Sequence, residues 1–73
     1  METIKSYQSK GSCRIQLTRD LVYTQVDGVW QETYRYYVYK DRRKLYTSRV
    51  PSECLVYFSN VVKDDILQLS YLT

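Results

Sequence analysis

Residues 17–38 read LTRDLVYTQVDGVWQETYRYYV, and the four at the centre, Val26-Asp27-Gly28-Val29, decide the fold. Asp-Gly between two β-branched residues is the strongest local signature of a two-residue type I′ turn, because both central positions need positive φ. If Val26 faces Val29, every cross-strand partner outward from the turn is set. One face then pairs Leu21 with Tyr34, Arg19 with Tyr36 and Leu17 with Val38. The other pairs Asp20 with Arg35 and Arg14 with Asp41, two couples of opposite charge. Segregation of this kind predicts an antiparallel hairpin with one face for a core and one for solvent.

The next turn lies in Lys40-Asp41-Arg42-Arg43-Lys44. With Arg42-Arg43 at its tip, Tyr39 meets Tyr46 and Tyr37 meets Ser48. Leu45 and Thr47 then join the buried side, and Tyr37, Tyr39 and Tyr46 gather on the outer side beside Arg35, Lys44 and Gln16. A loop one residue longer would send the third strand's side chains to the opposite faces. Beyond Pro51 the apolar period changes. At about 100° per residue, Cys54, Leu55, Tyr57, Phe58, Val61 and Val62 fall on one arc. Ser52 as cap, Glu53 in the first turn and Lys63 in the last predict a helix over Ser52–Lys63, against the strand propensity of its β-branched residues. Asp64-Asp65 read as a solvated turn, and Leu67, Leu69 and Tyr71, alternating with Gln68 and Ser70, as a half-buried final strand. Thr3 to Gln8 offers a further short edge strand ahead of the Ser9-Lys10-Gly11 turn.

The expected fold is therefore α+β: a small antiparallel sheet, in the order β-β-β-α-β, with one helix packed on one face. Leu17, Leu21, Tyr34, Val38, Phe58, Val62 and Leu69 are expected to share its core. Trp30, Tyr34, Tyr36, Tyr57 and Tyr71 are expected to supply core volume, with their polar tips reaching water.

A chain of 73 residues, spanning one domain over 1–73, lies near the lower limit for a core without metal, disulfide or partner, which makes oligomerisation an expectation. With 44% hydrophobic and 26% charged residues it belongs among globular chains, and no apolar run approaches the roughly 20 residues that cross a bilayer. The opening METIKSYQSKGS has no apolar signal segment, so a cytoplasmic location is expected, with Cys13 and Cys54 as free core thiols. The chain has no histidine, the usual general base and metal ligand. Two cysteines alone cannot complete an ordinary zinc site, and Gly11 and Gly28 cannot build a glycine-rich phosphate cradle. A protein that is not an enzyme and that needs no metal or cofactor is expected.

Between Trp30 and Tyr46, five of the nine tyrosines alternate with basic residues. Tyrosine and arginine give rigid contact area and hydrogen-bond donors at small entropic cost, and an exposed contiguous patch of them marks an interaction surface. The candidate partner-binding residues are Arg35, Tyr37, Tyr39, Arg42, Arg43, Lys44 and Tyr46. Residues 1–50 carry ten Lys or Arg against five acids, and residues 51–73 one against three, so the net charge of +3 is concentrated on the sheet. The leading expectation is a protein partner or self-association. The alternative is single-stranded nucleic acid stacking on the same tyrosines, with Arg42, Arg43 and Lys44 near phosphates; the RNP motifs of that class are absent. The layout of residues 34–72, a tyrosine-rich strand ahead of a helix and a last strand, is similar to that of very small phage proteins that inhibit host enzymes, including inhibitors of uracil-DNA glycosylase. That resemblance is one of layout, implies an inhibitor-type function and transfers no site residue; the basic hairpin departs from those acidic DNA mimics.

Overall fold

The computed structural model describes residues 1–11 and 13–72, with side chains described through residue 68. Four strands, β1 (Glu2–Gln8), β2 (Arg14–Val26), β3 (Val29–Lys40) and β4 (Arg43–Ser48), form one antiparallel sheet in sequential order. A helix, α1 (Pro51–Leu72), comes after them. The fold is thus α+β as expected. Its order, however, is β-β-β-β-α, since the fourth strand comes from the N-terminal segment.

The central turn forms as its sequence dictates, with Asp27 at φ 52°, Gly28 at φ 80° and Val26 opposite Val29. Leu17–Val38, Arg19–Tyr36, Leu21–Tyr34 and Asp20–Arg35 are all cross-strand partners. Arg14 and Asp41 meet through the backbone: the Arg14 amide donates to Asp41 Oδ1 (3.1 Å) and the Asp41 amide to the Arg14 carbonyl (2.6 Å).

The second turn closes one residue earlier than expected. Asp41-Arg42 form the tip, Lys40 faces Arg43, and Tyr39 faces Lys44. A bulge then restores Val38 opposite Tyr46, Tyr37 opposite Thr47 and Tyr36 opposite Ser48. The tight loop requires positive φ at its first position, which Asp41 adopts at 56° while its carboxylate accepts the Arg14 amide. The bulge sets two residues of β4 against one of β3 and re-aims the side chains of the strand beyond it. Tyr46 consequently belongs to the inner face, stacked on Tyr57 of α1 at 4.6 Å with rings 6° apart. Thr47 belongs to the outer face, which reverses the expected placement of both.

Pro51 occupies the first helical position, where its missing N–H costs nothing. Ser48 Oγ accepts the Val50 amide at 3.0 Å and donates to Glu53 Oε2 at 2.6 Å, tying the helix start to the end of β4. The helix runs through Asp64-Asp65 instead of ending there, and residues 67–71 are helical instead of a strand. Asp65 continues the stripe of buried Cys54 and Phe58 and half-buried Val61 and Val62 at helical spacing, and is itself buried. The last strand in the resemblance to phage inhibitors is therefore not formed. The expected burial of Leu69 and Tyr71 lies outside the described side chains. Among the described residues no helix is long and apolar enough to cross a membrane.

Ile15, Leu17, Val38, Cys54 and Phe58 form the core, flanked by Tyr7, Cys13, Tyr36, Tyr46, Tyr57, Val61 and Val62. Leu21 and Tyr34 lie outside it, at 47% and 41% exposure, as does Trp30 at 67%. The reason is where α1 lies. It begins just after Ser48, level with Tyr36, and runs to the opposite end, where Cys13 Sγ donates to Asp65 Oδ1 at 3.4 Å. β1 and β4 also reach only the Arg19–Tyr36 row. Beyond that row the β2–β3 hairpin projects alone, which gives a molecule of 56 × 18 × 16 Å.

Asp65 closes the other end. Its carboxylate is held below its ordinary pKa of 3.8, chiefly by the hydrogen bond from Ser9 and also by those from Cys13 and Tyr7, with burial opposing. Burial and the same carboxylate push the Cys13 thiol up, so it remains protonated at neutral pH and acts as a donor, not as a nucleophile. A folded-state pKa below the unfolded value stabilises above the unfolded value and loses that contribution as pH falls through the folded one. Asp65→Asn is therefore expected to lower the melting temperature most at neutral pH, with the gap to the parent protein closing in thermal melts as pH falls below the ordinary carboxylate range.

Candidate interaction surface

Alternation along β2 and β3 sends Val38, Tyr36 and Leu17 to the helix side, and Gln16, Thr18, Arg35, Tyr37 and Tyr39 to the other. Lys44 and Thr47 join this outer face from β4. The Tyr37 and Tyr39 rings lie 6.1 Å apart and tilted by 38°. Lys44 Nζ stands 5.1 Å from the Tyr37 ring centroid, a cation–π approach. Arg35 Nε donates to Thr47 Oγ1 at 3.0 Å, and Thr47 Oγ1 donates to the Tyr36 carbonyl at 3.1 Å, which holds the guanidinium along the sheet. The outer face carries the cations Arg35 and Lys44, and its acids each have a partner. Asp20 takes the terminal amine of Met1 at 3.2 Å, and Asp41 holds the Arg14 amide.

Of the residues expected at the site, Arg35, Tyr37, Tyr39 and Lys44 share this face. Arg42 is exposed at the turn tip. Arg43 faces Lys40 in register and borders a cleft on the helix side with Leu45, Val61 and Asp64. Tyr46 is on the helix side as well, its hydroxyl 3.4 Å from Glu53 Oε2, and the Glu53 charge raises its pKa. Among the described residues no three His, Cys, Asp or Glu side chains converge to hold a metal ion.

The structure adds a second surface that sequence reasoning missed. Leu21, Tyr23, Trp30 and Tyr34 line the projecting hairpin on the side that continues the core face, all of them exposed. The signal for it lies in element lengths: strands of 13 and 12 residues flank a turn, whereas β1 and β4 have 7 and 6. Comparison with protein-family models, curated proteins and solved structures returns no match for this chain.

Proposed function

We propose that this protein acts by binding a protein partner through its outer sheet face, as a small inhibitor or adaptor, and not by catalysis. The observation that carries this reading is the grouping of Arg35, Tyr37, Tyr39 and Lys44 on the sheet face opposite α1. Tyr and Arg concentrate binding energy at protein interfaces. The tilted ring pair, with Lys44 already over Tyr37, suits an irregular protein surface better than a run of parallel bases. The free thiols of Cys13 and Cys54 fit a reducing compartment.

Arg35 and Lys44 on this face, with Asp20 ion-paired to the Met1 amine, favour single-stranded nucleic acid as the second reading. Tyr37→Ser with Tyr39→Ser is expected to leave the fold intact while weakening the partner complex by about 2 kcal/mol or more, roughly thirtyfold. The partner is isolated from the native host with and without nuclease treatment, and affinity is measured by calorimetry across a salt series. Neutralising Arg42, Arg43 and Lys44 changes mainly the association rate for a protein partner, but flattens the slope of log affinity against log salt for nucleic acid. Full binding by the double serine variant would overturn the proposal.

A further inference from the structure

β1 carries an irregularity that the fold itself does not need. Thr3 faces Thr18 and Lys5 faces Leu17, so the register shifts and Ile4 is left over between them. Neighbouring side chains of a regular strand point to opposite faces, and a bulge re-aims one of them. Here Ile4 and Lys5 both border one cavity of about 440 Å³. Leu17 and Arg19 of β2, Tyr36 of β3 and Pro51 and Leu55 of α1 complete its walls. The helix packs on β2, β3 and β4, so the cavity lies between its first turns and β1. Across that space Ile4 and Leu55 are still 42% and 39% exposed.

The free charge at the rim is a single one. Arg19 is taken up by Glu2, with Nη2 3.0 Å and Nε 3.1 Å from Glu2 Oε2. Lys5 is exposed and belongs to neither of the ion pairs among the described residues.

We propose that this cavity binds a free alkyl carboxylate, its chain lying across β1, β2 and β3 against Leu55 and its carboxylate on Lys5 Nζ. Volume, lining and charge select this ligand. Small-molecule sites are mostly apolar spaces of roughly 300–1,000 Å³ with a few polar groups that fix orientation, and this cavity falls within that range. From Lys5 on β1 to Tyr36 on β3 there are two interstrand spacings, about 10 Å, the reach of a straight chain of about eight carbons. One unpaired cation calls for one negative charge, and a carboxylate supplies it with a charge-assisted hydrogen bond. An alkylammonium head would instead meet Lys5 as a like charge. The site lies on the helix side of the sheet, opposite the outer face assigned to a partner above, so the two readings stand or fall separately.

Octanoate is titrated into the full chain and followed by amide chemical shifts through about 1 mM, where a ligand of this size is expected to half-saturate. The expected result is a saturable set of shifts centred on Ile4, Leu17, Tyr36 and Leu55. Hexanoate, two methylenes shorter, should bind about tenfold more weakly, because each buried methylene contributes about fourfold. Lys5→Glu should weaken octanoate about tenfold, since an attraction becomes a repulsion, and should favour octyltrimethylammonium over octanoate. Leu55→Trp should fill the cavity and abolish binding. Both positions are exposed, so both variants should melt close to the parent. Trp30→Ser should bind octanoate as the parent does, which separates the cavity from the exposed aromatic side chains of the projecting hairpin. Shifts that do not saturate, equal affinity for hexanoate and octanoate, binding unchanged by Lys5→Glu or by Leu55→Trp, or binding lost in Trp30→Ser would each overturn the proposal.

Discussion

Phe58→Ala is expected to remove about 3–5 kcal/mol of stability, the usual cost of deleting a buried aromatic side chain. Phe58 is 8% exposed and packs with Ile15, Leu17, Val38 and Cys54, the only fully assembled apolar cluster among the described residues. At roughly 0.05–0.15 kcal/mol per residue, a domain of this length has about 4–11 kcal/mol in total, so the variant loses a large share of it. One helix joins the sheet through one stripe, and no second layer takes up the loss. Urea denaturation at neutral pH measures it, and an unchanged midpoint would mean that α1 presents another face to the sheet.

Val38→Asp is expected to abolish cooperative folding at pH 7. Val38 is 0% exposed, between Leu17 on β2 and Tyr46 on β4. An unpaired carboxylate there costs several kcal/mol even after relaxation, comparable to the whole stability of the domain. The buried acid answers by raising its pKa, since desolvation penalises its charged form. Because that folded pKa lies above the unfolded value, the destabilisation is full at high pH and shrinks as pH falls through it. Partial recovery of the native circular dichroism signal is therefore expected by about pH 5, above the range in which Asp65 loses its contribution. A variant that melts like the parent at pH 7 would put Val38 outside the core.

Local chemistry made much of this molecule legible. Asp27-Gly28 determines the central turn, and with it the partners of every residue from Ile15 to Lys40. That register already places Arg35, Tyr37 and Tyr39 together opposite the core, so much of the candidate surface derives from two residues of turn chemistry. The helical period of Cys54, Phe58, Val61 and Val62 likewise identified α1 and its buried face.

The illegible part depended on groups distant in sequence. Tyr46 changes face because Asp41 takes positive φ, steadied by an amide 27 residues away, and the bulge absorbs the extra residue. Asp65 resembles a solvated turn residue until Cys13, 52 residues earlier, is seen donating to it. Leu21, Tyr34 and Trp30 have the pattern of core residues, and pattern alone cannot say how far along the sheet a helix reaches. By itself, then, the sequence determined the class, the central register and which side chains share a face, because those depend on backbone dihedrals and periodicity between near neighbours. Only the tertiary structure decided which part of the inner face is covered, because coverage depends on where α1 starts and in which direction it runs, and that is settled by the Ser48–Glu53 and Cys13–Asp65 contacts at its two ends.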